Sequence, residues 1–319
     1  MYHALLLENL LDLLNLARSV PDRASAVLVR DLEDCTSRML GALRVWTHPD
    51  GNIALFGDSA FGIGQLPSAL DAYASALGVV SEAPRQQGVL KDAGFVRLVQ
   101  DPFTLLASWG GPMPVYQPGH AHCDSLSFEL SVGEERVVTD TGVAEYIPGA
   151  LRDLSRATRS HATLEVEGYE QAEVWSAHRV GGRPTVRLLG AEPPHRIEAS
   201  CAGWRTHSSP HRRSFTLSPG VVEIQDWIEG APRPVRATLP LAPGLHPELT
   251  KATDGRASVR IQLRSGVRLE IALPSGLAWS LERSVYMPEF GRSEERTSVV
   301  GSSASFATGV WRIGIDGRD

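Results

Sequence analysis

The sequence predicts an α+β fold in which a short helical segment precedes a large antiparallel β-sandwich. Near the start of the chain, leucines recur at helical spacing, among them Leu6, Leu10 and Leu13. From about residue 90 onward, apolar residues alternate with polar ones, and turn sequences separate the alternating runs. We therefore place a helical domain at residues 1–85 and a β-sandwich domain at residues 86–319.

The first predicted helix is apolar over much of its circumference, and the helical segment offers few other helices to cover it. Further leucines widen the apolar face of that helix, and such a helix is normally buried among several others. Two more helices are predicted, one starting near Pro21 and one running from Pro67 to a stop at Gly78. We expect this segment to be too small to cover its own first helix.

Two hairpins carry the prediction of an antiparallel sheet. Residues 126–132 alternate between apolar and polar, and a turn leads from them into residues 136–140. Residues 259–263 and 267–273 form a second hairpin around the turn Arg264-Ser265-Gly266. Further strands are expected at residues 162–166, 221–228 and 310–315. We expect Asp226 to serve packing, and the polar residues from His207 to Arg213 to form a solvated turn before a strand.

Composition excludes several classes of protein. The 319 residues carry 31 basic and 37 acidic side chains, a formal charge of −6, without the Lys/Arg stripe that follows a phosphate backbone, so we expect no nucleic acid. No apolar run is long enough for a membrane span, and the first twenty residues lack the basic start of a signal peptide. Three scattered cysteines predict neither a disulfide framework nor a thiolate zinc site.

The densest polar cluster, residues 119–124, reads Gly-His-Ala-His-Cys-Asp. In an extended chain His120 and His122 would share one face, about 7 Å apart. The first hairpin brings Asp140 towards His122, and His161 joins them if its strand is a neighbour. Two imidazoles and a carboxylate suit Zn²⁺ with water as the fourth ligand, although a lone H-x-H is more often a hydrogen-bonded or surface pair.

About sixty residues around this cluster resemble the C-terminal signature of the heparinase II/III-like polysaccharide lyases. The resemblance lies in GHAHCDSLSFEL at residues 119–130, DTG at residues 140–142 and RATRSHAT at residues 156–163. It implies that His122, Asp140 and His161 hold a structural zinc ion and that His120 faces the substrate cleft. Ala162 departs from the family, which usually has Asn there, and this affects local hydrogen bonding.

The beginning of the chain is also similar to this family. Residues 48–63 resemble a loop between the last helices of the family's (α/α) toroid, the helical domain in which much of the active site lies. Met1-Tyr2-His3 resembles the motif that contains the family's catalytic tyrosine, which implies Tyr2. The helical segment is then a remnant of the toroid, and most of the toroid is missing from this chain.

The resemblance implies cleavage of an acidic, uronate-containing glycan by β-elimination. We assign Tyr2 as the acid, with a further role as base, and His120 as the other proton-transfer group. Tyr146 and Arg152 are expected to contact the sugar or its carboxylate, with Arg156 and Arg159 nearby. The family's carboxylate-neutralising side chains come from the missing toroid helices, so we expect this chain to be inactive if nothing replaces them.

The sequence is also compatible with two other functions. One is a non-catalytic module that binds carbohydrate or mediates assembly, and the other is a zinc hydrolase in which the metal itself is catalytic. As partners we expect an acidic polysaccharide together with a second copy of the chain or the missing N-terminal half. Family members act in the cell envelope or periplasm, which we expect for this protein as well.

Overall fold

Four α-helices and nineteen strands make up the described part of this computed structural model, which covers residues 1–81, 88–112, 115–253 and 255–315. The helices are α1 (Tyr2–Ser19), α2 (Ala26–Leu43), α3 (Pro67–Ala76) and α4 (Ala150–Arg156), with short 3₁₀ turns at Arg44–Trp46, Pro118–His120 and Thr158–Ser160. Within these ranges, no helix combines the length and the apolar character that a membrane span requires.

The strands form four antiparallel sheets. The first ten strands are β1 (Val89–Leu90), β2 (Phe95–Gln100), β3 (Phe103–Ser108), β4 (Phe128–Val132), β5 (Glu135–Val138), β6 (Leu164–Val166), β7 (Val174–Trp175), β8 (Arg179–Val180), β9 (Thr185–Glu192) and β10 (Arg196–Ala202). The remainder are β11 (His211–Ser218), β12 (Val221–Ile228), β13 (Arg233–Pro240), β14 (Glu248–Lys251), β15 (Ala257–Gln262), β16 (Arg268–Leu273), β17 (Ala278–Glu289), β18 (Arg292–Phe306) and β19 (Thr308–Ile315).

The predicted α+β class and antiparallel sandwich are confirmed. An eight-stranded sheet has the order β14-β15-β16-β19-β12-β11-β10-β9, a five-stranded sheet runs from β1 to β5, and a four-stranded sheet has the order β17-β18-β13-β6. Alternate side chains from all three sheets enter one apolar core, which includes Phe128, Phe215, Leu239 and Trp311. The remaining strands, β7 and β8, form a small separate ribbon.

The helical segment has an apolar core of its own. Leu7, Leu11 and Leu14 of α1 are fully buried, and α1 packs against α2 and α3. The predicted apolar face included these three leucines but was too wide, because Leu6 and Leu13, which were also assigned to it, are 53% and 42% exposed. The burial of α1 is thus one-sided, in line with a segment too small to cover it. The predicted boundary between residues 85 and 86 lies outside the described residues.

Several element boundaries differ from the prediction. Helix α2 begins at Ala26 rather than near Pro21, because the Ser25 side chain caps it by accepting a hydrogen bond from the Leu28 amide at 3.1 Å. Strand β4 begins at Phe128, since Leu126 has a φ of +63° that a strand does not allow. The strand predicted at residues 162–166 is shortened to β6, and His161 follows a 3₁₀ turn instead of opening a strand.

The polar segment predicted to be a solvated turn is partly buried in the sandwich. His211 and Arg213 lie on β11 and are 3% and 2% exposed. Arg213 donates to both carboxylate oxygens of Asp226 at 2.6 and 3.0 Å, and His211 Nε2 and Trp311 Nε1 donate to the same carboxylate at 2.7 and 2.9 Å. The Asp226 carboxylate therefore ties β11, β12 and β19 together from inside the core.

Replacing Asp226 by Asn should lower the free energy of unfolding by about 3–5 kcal/mol, because Arg213 would remain buried without its counter-charge. Chemical denaturation measures this loss. The matched control is Glu295→Gln, which removes an exposed ion pair with Arg283 and should change stability by about 0–1 kcal/mol. Equal effects of the two substitutions would contradict the structural role of the Asp226 network.

Candidate active site and metal centre

A cleft of about 530 Å³ opens between the helical segment and the five-stranded sheet. Tyr2 reaches it from the first turn of α1, and His120 reaches it from the end of the 3₁₀ turn Pro118–His120. Aromatic side chains form much of its apolar wall, where Phe95 packs against Trp46 and Phe56 with ring centroids 5.5 and 5.4 Å away. This combination of apolar walls and a few polar groups is typical of a ligand-binding cleft.

Three of the predicted site residues contact one another, and two of them, Tyr2 and His120, line the cleft. The rings of Tyr2 and His120 are 4.6 Å apart between centroids, and His120 lies 5.6 Å from Tyr146 by the same measure. The hydroxyl groups of Tyr2 and Tyr146 are hydrogen-bonded at 2.7 Å. Burial, followed by this hydrogen bond, raises the pKa of Tyr146 above its usual value. Tyr146 therefore keeps its proton and can donate it to the oxygen of Tyr2.

A buried carboxylate, Asp58, links the cleft to the predicted metal ligands. His120 Nδ1 and His122 Nε2 lie 2.9 and 2.8 Å from its two oxygens, and the guanidinium of Arg152 also contacts both oxygens. The amide of Asp58 donates to the carbonyl of His120 at 3.1 Å, and the preceding Gly57 has a φ of +57°. A side chain at Gly57 would come within 3.1 Å of that carbonyl, so a tight turn brings Asp58 to the histidines.

The ionisation of Asp58 decides the tautomers of both histidines. Burial by itself would raise its pKa, but the hydrogen bonds from His120 and His122 hold the pKa of Asp58 well below the usual range. An ionised carboxylate can only accept, so His120 donates from Nδ1 and His122 from Nε2. Nε2 of neutral His120 and Nδ1 of His122 are then left with their lone pairs.

The structure corrects two expectations about this cluster. His120 and His122 do not lie on an extended strand, because His120 ends a 3₁₀ turn and the two rings meet at Asp58 instead. Arg152, predicted to contact the sugar, is fully buried in α4. Its guanidinium is occupied by Asp58 and by the carbonyls of Gly119 and Ala177 at 2.8 and 2.9 Å, so it supports the cleft from behind.

The three predicted metal ligands lie together beside the cleft, whose lining includes His122. His122, Asp140 and His161 each offer one ligand atom within 4.8 Å of the others, and each is at most 1% exposed. His122 Nδ1 and His161 Nε2 are buried and have no hydrogen-bond partner among the described residues. Two unpartnered imidazole nitrogens beside a carboxylate fit a Zn²⁺ ion in ligand type.

Neighbouring side chains hold the turn that carries Asp140. Glu129 Oε1 accepts from the Asp140 amide at 2.9 Å and also from the Leu55 amide at 2.9 Å. Arg296 donates to the carbonyls of Thr139 and Asp140 at 2.9 and 3.0 Å. Burial lowers the pKa of Arg296 to about 10, which leaves it charged at neutral pH. The position of Asp140 is therefore set by two buried ionic side chains before any metal binds.

Asp140 and His161 shift each other's pKa against the effect of burial. Burial by itself would lower the pKa of His161, but the charge of Asp140, with Nδ1 of His161 2.9 and 3.0 Å from its oxygens, raises it. The same attraction from His161 overcomes burial and lowers the pKa of Asp140. Nearby Asp124 is buried too, and this burial raises its pKa to about 6. Asp140 thus stays ionised beside the two imidazoles, as a metal-bound carboxylate must be.

Asp58 is the functional residue that the motif analysis missed. It lies 62 residues before His120 in the chain, on the loop between α2 and α3. That loop, residues 48–63, already stood out by its resemblance to the lyase family. The run Phe-Gly-Asp-Ser at residues 56–59, a glycine turn followed by an acid, was the signal that could have identified Asp58.

A comparison with protein families finds a match over residues 82–310 to the model described as "Heparinase II/III-like, C-terminal". The matched residues make up most of the chain and include His120 and all three proposed metal ligands. A search of curated proteins finds no match.

Solved structures with the same fold span both parts of the chain. The heparan sulfate lyase HepC from Pedobacter heparinus is 19% identical with a TM-score of 0.72, over 98% of this chain and 51% of that protein. A crystal structure of heparinase III is 16% identical with a TM-score of 0.73, over 98% of this chain and 52% of that one. The chain thus spans about half the length of these proteins, and identity at this level shows a shared fold.

The family match over residues 82–310 covers the sandwich with its His122, Asp140 and His161 cluster, and the structural likeness extends over the helices. This chain belongs to the heparinase II/III-like family, and it comprises that family's C-terminal sandwich domain with a helical segment before it.

Proposed function

We propose that this chain carries the proton-transfer groups of a polysaccharide lyase that cleaves uronate-containing glycans by β-elimination. The observation that carries the proposal is the convergence of Tyr2 and His120 on one cleft, with ring centroids 4.6 Å apart. The solved proteins of the same fold include a heparan sulfate lyase, which supports an acidic glycan as the substrate class. The particular glycan is left to experiment.

The chemistry needs one group that removes the proton from C5 and one that protonates the departing O4. His120 Nε2 has a free lone pair in the neutral tautomer that Asp58 imposes, so His120 takes the C5 proton. The electron pair of the C5–H bond becomes the C4–C5 double bond as the bond from C4 to O4 breaks. Tyr2 gives its proton to O4, and Tyr146 then donates a hydrogen bond to the phenolate of Tyr2.

The third requirement is a cation for the uronate carboxylate. Among the described residues that line the cleft, none is Lys or Arg, and Arg152 is neutralised by Asp58. Because electrostatic stabilisation is commonly the largest catalytic contribution, the carboxylate must be met by groups outside this lining. The chain spans about half the length of its solved relatives, so we propose that the part of those proteins beyond this match supplies them.

His122, Asp140 and His161 are proposed to hold a structural Zn²⁺ ion. When bound, the ion would compensate the buried carboxylates and cross-link the segments that carry the three residues. All three ligands are buried, and a catalytic zinc ion needs a coordination position open to substrate. Asp140 and His161 are absent from the described lining of the cleft, which His122 alone of the three joins, and this argues against the alternative of a zinc hydrolase. Asp58, as hydrogen-bond partner of His122, would orient that ligand.

The second candidate function is a carbohydrate-binding or assembly module without catalysis. The specific observation in its favour is that the described lining of the cleft has no Lys or Arg to stabilise the charge that develops during elimination. Such a module would bind an acidic glycan and leave it intact. The two functions are therefore separated by product formation and not by binding.

The first test is the ultraviolet absorbance of the unsaturated product when the chain is mixed with a panel of uronate polysaccharides. Where the chain forms product, we expect His120→Ala and Tyr2→Phe to lower the rate by at least about a hundredfold, since each removes a proton-transfer group. His207→Ala, which removes an exposed histidine away from the cleft lining, is the control. A flat trace for a folded, metal-loaded chain that still binds glycan would favour the binding module.

Metal content tests the proposed zinc site without reference to activity. Elemental analysis should find one zinc ion per chain, and His161→Ala should lose it, while His207→Ala keeps it. Chelation should lower the melting temperature of the wild-type chain and leave that of His161→Ala unchanged, because only a bound metal stabilises the folded state. A zinc content that His161→Ala does not alter would refute this assignment.

Asp58→Asn should weaken both the metal site and catalysis, each by about ten- to a hundredfold, as expected for a residue that orients a metal ligand. The amide that replaces the Asp58 carboxylate presents an N–H₂ group to side chains that are themselves hydrogen-bond donors. It therefore no longer imposes one tautomer on His120 and one on His122. Zinc affinity is measured by competition with a chelating dye, and kcat by product absorbance. The control Asp71→Asn alters an exposed ion pair with Arg44 and should leave both values unchanged.

A further inference from the structure

A second cavity, of about 550 Å³, lies on the face of the four-stranded sheet that is turned away from the sandwich core. On this face Thr238 of β13 pairs with Val300 of β18, and Ser298 of β18 pairs with Glu282 of β17. One end is closed by Leu154, Arg159 and Ser160, and also by Thr141. The cavity shares no described lining residue with the cleft at His120.

The lining of this second cavity is polar and carries an excess of positive charge. Its charged side chains are Arg159, Arg236, Arg283 and Arg296 against Glu165 and Glu282. Arg236 and Glu282 form an ion pair at 2.6 Å across the cavity wall, and both are partly exposed. Hydroxyl groups of Ser160, Thr238, Ser284 and Ser298 complete the lining. Such a surface suits a ligand with both an anionic group and hydroxyls.

Three buried donors in this lining have no hydrogen-bond partner among the described residues. They are Nε of Arg236, Oγ1 of Thr238 and Nε of Arg296. Thr238 and Arg296 are only 6% and 4% exposed. These three atoms have almost no accessible surface and lie behind the cavity wall, so the groups that a ligand meets directly are the guanidinium groups of Arg159, Arg236 and Arg283. A carboxylate or sulfate ester offers several acceptor atoms on one centre.

We propose that this cavity is a second glycan-binding site, which holds an acidic saccharide unit away from the cleft. Its carboxylate or sulfate ester would accept hydrogen bonds from the guanidinium groups of Arg236 and the exposed Arg159 and Arg283, and its ring hydroxyls would meet Ser284 and Ser298. The volume is that of a small-molecule site and exceeds what a bare oxyanion fills. The choice of a saccharide rests on the proposed function, whereas the anion site rests on the donors themselves.

Calorimetric titration of the zinc-loaded chain with a defined sulfated uronate tetrasaccharide tests this site. Arg236→Gln should weaken one binding event by about tenfold, since it removes a charged donor. Glu282→Gln should strengthen that event severalfold, because it removes a competing carboxylate and frees Arg236. Arg260→Gln, which removes an exposed arginine paired with Glu270 on the eight-stranded sheet, should change nothing and serves as control.

The outcomes separate this proposal from the lyase proposal. Tyr2→Phe should abolish product formation and keep the binding event that depends on Arg236, whereas Arg236→Gln should keep product formation from short substrates. Isotherms of Arg236→Gln and Glu282→Gln that match the wild type would overturn the second site. Inorganic sulfate that binds as tightly as the tetrasaccharide would overturn the saccharide and leave an anion site alone. A flat absorbance trace with intact Arg236-dependent binding would count against the lyase proposal only.

Discussion

The buried carboxylate of Asp58 is the interaction on which the rest of this site depends. It accepts hydrogen bonds from His120 in the cleft and from His122 beside it, and it neutralises Arg152 behind them. Three donors around one ionised carboxylate form a charge-assisted network that fixes the rings in position and in tautomer. The same group thereby prepares one histidine for proton transfer and the other for metal binding.

A second carboxylate, Glu129, joins the helical segment to the sandwich. One carboxylate oxygen accepts hydrogen bonds from the amides of Leu55 and Asp140, and the other is hydrogen-bonded to His48 Nε2 at 2.6 Å. Leu55 and His48 belong to the loop that also carries Asp58, while Asp140 lies in the turn that follows β5. The loop between α2 and α3 and the turn that carries Asp140 therefore both donate hydrogen bonds to Glu129. These hydrogen bonds hold the helical segment and the sandwich together as one structure.

Local patterns predicted much of this arrangement. The alternation in residues 259–273 gave the β15–β16 hairpin, and the hairpin before Asp140 brought that residue towards His122. Contacts between distant segments could not be predicted in this way. Asp58 is a single acid far along the chain from both histidines, and no periodicity indicates which carboxylate will be buried beside them. Likewise, the sequence marks Arg152 as a cation near the cleft, but only the packing of α4 turns it inward.

Burial also explains the predictions that were wrong. Arg213 and His211 look like a basic surface patch in the sequence, yet Asp226 on the neighbouring strand compensates them inside the sandwich. Leu6 and Leu13 look like core residues, but α1 turns Leu7, Leu11 and Leu14 towards its neighbours. In both cases the local sequence is compatible with two orientations, and the element packed against it decides between them.

Long-range ¹H–¹⁵N correlation NMR of the histidine rings, with His120 assigned through His120→Ala, tests the central claim most directly. If Asp58 organises the site, neutral His120 carries its proton on Nδ1 and leaves Nε2 bare, and Asp58→Asn abolishes this preference. A His120 ring protonated on Nε2 in the neutral form, or a tautomer that Asp58→Asn leaves unchanged, would contradict the account.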